Sequence, residues 1–341
     1  MKKNKVLSFG ELLLRISLDA EGEWLATNTL PFYVGGAELN VATALALWDV
    51  PSAYLSAIPD NEMSHQIVAD LEKKKIDTSR MIFEGDRLGL YYLAKGKDLK
   101  NAGVIYDRAN SSYANLNREK INWEAIFEDV SWFHFSAICP ALNQNVADIC
   151  LDAVQFASQK GIFVSLDLNY RSKLWKYGKD PKEVMPQLAQ YCNLIMGNIW
   201  AANQMLDTRL EEIFLQKNIY TKDQLLQQAI FTSKEIISTF PSCTIVANTF
   251  RFDNKEGIHY YSSLYSNDTL KVSDNWEKEK IYNRVGSGDC FMAGLIYGYY
   301  NELPEEDILD FATAAAVDKL DIAGDATTST VAEIRSKILN K

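Results

Sequence analysis

Histidine is scarce: His65, His134 and His259 are the only three in 341 residues, and they lie far apart in sequence. That spacing argues against a His-based metal site and against a serine-hydrolase triad beside a Ser elbow. Cysteine is thin as well. Cys139, Cys150, Cys192, Cys243 and Cys290 are scattered, mostly inside apolar runs, and form no CxxC pair. They read as reduced core thiols in a reducing compartment, the cytoplasm. No stretch of about 18 apolar residues occurs, so no membrane-spanning helix is expected. Lys2, Lys3 and Lys5 run straight into the strand-like Val6-Leu7-Ser8-Phe9, without a signal-peptide apolar core. Positive charge is outweighed, 35 Lys and Arg against 45 Asp and Glu, a formal net charge of -10. A general nucleic-acid binder needs a basic face to neutralise phosphates, so that class is set aside. A small anion can still be held by a few local arginines. There is no internal repeat, no low-complexity tract and no Pro- or Gly-rich linker, and no Walker A pattern.

What remains is a chain with enough apolar residues, 47 %, for a sizeable core. Short apolar runs at 6–9, 53–58, 132–136, 162–168, 194–196 and 243–247 read as strands. Amphipathic stretches at 38–48, 64–74, 144–160, 222–239, 289–301, 304–319 and 330–339 read as helices. The alternation predicts an α/β fold, a mainly parallel sheet covered by helices. Residues 11–34 and 86–113 break that rhythm with alternating, aromatic-rich patterns. They predict a small β lid formed by two insertions into one domain spanning 1–341. Such a lid has little core of its own, so its aromatic face, with Phe32, Tyr33, Tyr92 and Tyr113, predicts a homodimer or higher oligomer formed through it.

The densest chemical signal is Asn283-Arg284-Val285-Gly286-Ser287-Gly288-Asp289-Cys290-Phe291. The spacing of Phe291, Leu295 and Tyr299 suits a helix that begins near Asp289. Small residues just before a helix let backbone N–H groups point at an anion, with the helix dipole in support. A carboxylate there can take a proton from an attacking hydroxyl while the N–H groups hold phosphoryl oxygens. The plainer alternative is a loop with Asp289 as an ordinary helix cap.

Gly286-Ser287-Gly288-Asp289 resembles the C-terminal signature of ribokinase-like (PfkB-type) carbohydrate kinases. Gly35-Gly36-Ala37-Glu38-Leu39-Asn40 resembles that family's N-terminal di-glycine signature, and the likeness extends along nearly the whole chain. The resemblance implies a ribokinase-like three-layer αβα sandwich with a small β-sheet lid. It implies ATP and Mg²⁺ as partners in phosphoryl transfer, with Asp289 as base and the N–H groups of Gly286, Ser287 and Gly288 on the phosphoryl group. Tyr91, Val104-Ile105-Tyr106-Asp107-Arg108 and Asp167-Leu168-Asn169-Tyr170-Arg171 are most similar to the 2-keto-3-deoxygluconate kinases. They imply a sugar site of Gly35, Gly36, Asn40, Tyr91, Tyr106, Arg108 and Arg171, with Asp325 beside it. Residue chemistry agrees on the ligand type, because two arginines can hold a carboxylate with charge-assisted geometry that a neutral sugar does not need. By resemblance, Asn198, Thr249, Arg251, Gly286 and Gly288 face the nucleotide. Many relatives carry Asn-x-x-Glu; here Asn198 remains and Ala201 replaces the carboxylate. The rival readings are a kinase for another sugar, of fructose or ribose type, and a weakened relative that only binds sugar.

Overall fold

In the computed structural model the described residues are 4–18, 24, 28–94, 103–216, 220–254 and 257–340. The short apolar runs become neighbouring strands. The central sheet has ten strands among the described residues. Its main path runs Thr269–Val272, Gly257–Ser266, Ile245–Asn254, Leu194–Gly197, Phe163–Asp167, Val130–Ser136, Lys5–Phe9, Ser52–Leu55, Ile76–Asp77. Pairing is parallel from Ile76–Asp77 to Ile245–Asn254 and antiparallel beyond it. Alternate side chains of one strand enter different cores. Leu7 and Phe9 join Phe133, Phe135, Val164 and Leu166 on one face, while Val6 joins Trp132, Leu194 and Met196 on the other. This period of two, with both faces buried, is why the parallel strands read as continuous apolar runs. Helices close both faces. Gln144–Gln159 and Pro181–Ala189 cover the first, while Ala37–Leu47, Ser287–Tyr300 and Glu305–Asp318 cover the second. All five cysteines are buried free thiols, as expected. No helix among the described residues is long and apolar enough to cross a membrane.

The two segments that break the α/β rhythm meet as a four-stranded sheet in the order Phe32–Gly35, Leu13–Ser17, Gly89–Leu93, Val104–Asp107. Its inner face carries Leu13, Tyr91, Leu93 and Val104, packed with Val285 from just before the Gly-Ser-Gly turn. Phe32 and Ile105 lie 54 % and 57 % exposed. The sheet stops sooner than the 86–113 segment. Tyr113, expected on the lid, is fully buried in the main core against Phe9. Residues 19–23, 25–27 and 95–102 of the two segments lie outside the described residues.

Two further differences bear on the site. The strand predicted at 243–247 continues to Asn254 and turns back through Gly257–Ser266. Thr249 and Arg251 therefore stand within the strand itself. The helix predicted to begin near Asp289 begins at Ser287, which places Asp289 on its third residue rather than at its cap.

Candidate active site

Gly286 has a left-handed backbone, φ 81°, and a Cβ there would lie 1.9 Å from the backbone oxygen of Asp325. Only glycine fits both conditions. The turn releases the chain into the helix Ser287–Tyr300, whose N-terminus has no side-chain cap. A second helix, Ala37–Leu47, starts in the same way on Gly36, at φ 143° and again without a side-chain cap. Uncapped ends keep unsatisfied N–H groups and a positive dipole end. Both open on one cavity of about 550 Å³. That size suits a small-molecule site.

The two helices meet through side chains. Asn40, on the first, donates from Nδ2 to Oδ2 of Asp289, on the second, at 2.7 Å. Asn40 also lines the cavity, and one of its amide N–H groups orients the carboxylate. Asp289 is buried, and burial is the main force that pushes its pKa up to about 8. The Asn40 bond pulls the other way, Asp167 and Glu38 push it further up, and Arg171 lowers it. An aspartate with a pKa this high is poised as an acid–base group near neutral pH. Ser287 donates from its hydroxyl to the carbonyl of Ala316 at 2.8 Å, which ties the turn to the neighbouring helix and leaves its backbone N–H unaffected.

Of the residues anticipated from sequence, Gly36, Asn40, Tyr91, Tyr106, Arg108, Arg171, Asn198, Thr249, Arg251, Gly286, Ser287, Gly288, Asp289 and Asp325 all line this cavity. Gly35 does not, but a Cβ on it would fall 2.5 Å from the Asp325 carboxylate. Arg108 already has a carboxylate: its Nε donates to buried Glu11, which also accepts from Ser111. Burial pulls the guanidinium pKa down, and Glu11 more than offsets it. Arg171 donates to the carbonyl of Tyr170 at 2.9 Å and sits at the mouth of the strand Phe163–Asp167. Asn198 caps the helix Ile199–Leu206 by accepting from the N–H of Ala201 at 2.9 Å. Thr249 donates to Gly197 O at 3.4 Å, and Arg251 lies near Asp253.

Sequence reasoning missed several neighbours. Glu38, just inside the di-glycine helix, is buried and accepts from the N–H and hydroxyl of Ser136 and from the Cys139 thiol. Its pKa is raised, chiefly by burial. Lys319 has no exposed surface, donates to Ile322 O at 3.1 Å, and burial lowers its pKa to about 8. Arg15 pairs with Asp325 at 2.7 Å. Glu38 lies inside the di-glycine signature but was given no role there; Lys319 and Arg15 carry no motif, and the one available signal was a charged residue inside the apolar run Leu12-Leu13-Leu14-Arg15-Ile16.

A model of the pfkB family of carbohydrate kinases matches residues 3–321. The chain is 25 % identical over 334 residues to a 2-dehydro-3-deoxygalactonokinase of Haloferax volcanii, covering 97 % of this chain and 95 % of that one. It is 22 % identical over 325 residues to a 2-dehydro-3-deoxygluconokinase of Bacillus subtilis, covering 95 % and 91 %. The crystal structure of a 2-dehydro-3-deoxygluconokinase from Thermotoga maritima matches with a TM-score of 0.88 at 29 % identity, covering 98 % of this chain and 99 % of that one. The architecture is the ribokinase-like αβα sandwich with its β lid.

Proposed function

Since this chain belongs to the pfkB family of carbohydrate kinases, we propose that it transfers the terminal phosphate of ATP to a primary hydroxyl of a small sugar acid of the 2-keto-3-deoxygluconate type. The observation that carries the reading is the convergence of Asp289, a bare helix end and the two arginines Arg108 and Arg171 on one cavity. The relatives' names support the choice of substrate class.

Asp289 takes the hydroxyl proton as the oxygen attacks phosphorus in line, and ADP leaves with the bridging oxygen and its electron pair. The N–H groups at the start of the Ser287–Tyr300 helix face the charge that builds on the phosphoryl oxygens, and their fixed orientation makes them effective. Asn40 keeps Oδ2 of Asp289 in place, leaving Oδ1 for the incoming hydroxyl. Arg171 and Arg108 orient the substrate carboxylate, the latter with Glu11 fixing its Nε. Tyr91 and Tyr106, tilted against each other with ring centroids 6.3 Å apart, form the lid side of the sugar site. Thr249, Arg251 and Asn198 lie on the nucleotide side. Among the described residues no group of three or more His, Cys, Asp or Glu could hold a metal ion. Mg²⁺ commonly takes one or two protein carboxylates beside phosphate and water, and Asp167 on the cavity wall would be such a ligand for Mg²⁺ brought by ATP. Bound there, Mg²⁺ would neutralise phosphate charge, and Ala201 would contribute nothing to it.

The exposed Phe32 and Ile105 of the lid are the surface through which a second copy would pair, in the cytoplasm where the buried thiols stay reduced. Light scattering at micromolar concentration reads a dimer; a monomer overturns the lid pairing. The substrate is tested with a panel of sugars and sugar acids under MgATP. Highest kcat/KM for 2-keto-3-deoxygluconate or a close sugar acid is expected, and fructose or ribose as the best substrate overturns the reading.

A further inference from the structure

A row of side chains crosses the whole lid sheet. Register pairs Tyr33 with Arg15, Arg15 with Tyr91 and Tyr91 with Tyr106. Residues paired across neighbouring strands share a face. Arg15, only 4 % exposed, is the one cation in the row, and its guanidinium carbon lies 4.0 Å from the centre of the Tyr33 ring. It does not line the cavity, and no step of the phosphoryl transfer uses it. A guanidinium buried in an apolar strand is expensive unless fully paired. Its Nε and Nη2 both reach Oδ1 of Asp325 at 2.7 Å, and Nη2 also donates to Ala323 O at 3.2 Å. Tyr91 donates its hydroxyl to Oδ2 of the same carboxylate at 3.1 Å.

Asp325 also touches the catalytic turn from the other side. Its backbone oxygen occupies the space where Gly286 would carry a Cβ, and Lys319 closes the same corner, with Cε 3.2 Å from that point. Asn283 binds the neighbouring carbonyl of Ala323 at 2.8 Å and accepts from the N–H of Val285 at 3.0 Å. Hydrogen bonds therefore run from the middle of the lid to Asp325 and, through Ala323 and Asn283, to Val285, while the Asp325 backbone packs against Gly286, the residue that aims the helix N-terminus.

We propose that Arg15 is a positioning residue that couples the seating of the lid to the geometry of the Gly286–Gly288 turn through Asp325. On this part of the lid Tyr91, Tyr106 and Asp325 line the cavity, and Arg15 acts one layer behind them. The inference rests on the kinase reading above, and its test uses whichever sugar or sugar acid the wild type phosphorylates fastest. A preference for a neutral sugar thus overturns the sugar-acid assignment while leaving this test intact.

The experiment is a double-mutant cycle of Arg15→Met and Asp325→Asn, with Arg15→Lys as the conservative variant. Arg15→Met should lower kcat by roughly tenfold or more with KM for ATP within about twofold, because the turn is misplaced while the nucleotide wall is intact. Arg15→Lys, which keeps the charge but loses the fork, should fall between wild type and Arg15→Met. The double variant should be no slower than the slower single variant, since both break one connection. Without substrate, amide hydrogen exchange at Ser287, Gly288 and Asp289 should quicken in Arg15→Met. If Arg15→Met does not fold, Arg15→Lys carries the same kcat and exchange readouts. Wild-type kcat in a folded variant with a lowered Tm makes Arg15 merely structural and overturns the proposal. So does a rise in sugar KM at unchanged kcat, or strict additivity in the cycle.

Discussion

Among the described helices, two begin on a glycine and both of these open on the cavity, whereas Glu305–Asp318, begun on Pro304 away from it, also lacks a side-chain cap. On the outer surface Glu62–Lys73, Gln144–Gln159, Lys222–Thr239 and Val331–Leu339 start on Asn61, Asn143, Thr221 and Thr330. In each, the capping side chain accepts a backbone N–H of the first turn. At the cavity Ala37–Leu47 and Ser287–Tyr300 start on Gly36 and Gly286, and no side chain closes them. A cap commits the helix's first donors to the protein itself. A bare glycine start leaves them to a ligand, at a cost in stability of roughly a few tenths of a kcal/mol each relative to a side-chain cap. Asn198 stands between the two types: it lines the cavity yet caps its own helix, so that helix end offers a side chain rather than a row of N–H groups.

The comparison is broken most severely at Asp289, the carboxylate inside the bare first turn. Asp289→Asn should fold and lose about 10²–10⁴-fold in kcat on the best substrate. Turnover near wild type removes it as the base. Its raised pKa also sets two pH trends with opposite meaning. In kinetics, kcat/KM should rise with pH up to about 8, as the free enzyme's carboxylate ionises. In stability the sign reverses. The folded-state pKa lies above that of the unfolded chain, so the native state binds more protons between the two values. The stabilisation is complete below about pH 4, the unfolded value, and is lost as pH rises through about 8. Thermal melts across that window should show Tm falling with pH in the wild type and less so in Asp289→Asn, whose amide has no proton to lose.

Next in size is the turn itself. Gly286→Ala puts a methyl group against Asp325 O in a backbone region that L residues avoid. The turn must shift, and a displacement of about 1 Å at such a site costs on the order of 100-fold in rate. The expected outcome is a folded protein with Tm lowered and kcat down about 100-fold, measured on the same preparation. Equal loss from Asn61→Ala would mean that helix starts matter only for folding, and the distinction between the two types would collapse.

Arg108→Ala is a milder test, of selectivity rather than of the turn. It removes a charge facing the cavity and leaves Glu11 buried without its cation. kcat/KM for the sugar acid should fall roughly 30-fold, about 2 kcal/mol, and that for a neutral sugar much less. Glu11→Gln together with Arg108→Ala removes the stranded charge. If both substrates recover equally in that double variant, Arg108 serves only to neutralise Glu11.

The glycine-started ends were legible in the sequence because they depend on local backbone freedom: Gly35-Gly36 and Gly286-Ser287-Gly288-Asp289 state it within four residues. The parallel strands were legible because both faces are buried and the runs are apolar throughout. What escaped depends on contacts between distant segments. Arg15 meets Asp325 across 310 positions, and Glu11 meets Arg108 across 97. Neither pair has a spacing that could announce it. The helix Pro181–Ala189 was hidden by Pro186 within it, and Ile199–Leu206 by its length of eight residues. The antiparallel edge Ile245–Asn254 with Gly257–Ser266 was hidden by polar side chains such as Ser262 and Ser263, which are buried despite their chemistry.

The smallest expected effect completes the comparison from the opposite side. Asn61 accepts the N–H of Ser64 at 3.0 Å and starts a helix on the protein's exterior, away from the cavity wall. Asn61→Ala removes one acceptor and leaves that first turn open to water, which costs about 1 kcal/mol. Asn61→Gly should cost less, a few tenths of a kcal/mol, because glycine also suits a cap. Chemical denaturation should show the midpoint shifting with an unchanged m-value, since the exposed surface of the unfolded state does not change. Kinetic constants should stay at wild type. A kcat reduced by Asn61→Ala beyond about twofold would show that the exterior helix starts communicate with the cavity, and the two types would then differ in degree rather than in kind. If instead only stability moves, the two kinds of helix start have separable uses. Asn61 and its counterparts hold helices together, while Gly36 and Gly286 give up that local support so that the donors beside Asn40 and Asp289 remain available to a phosphoryl group.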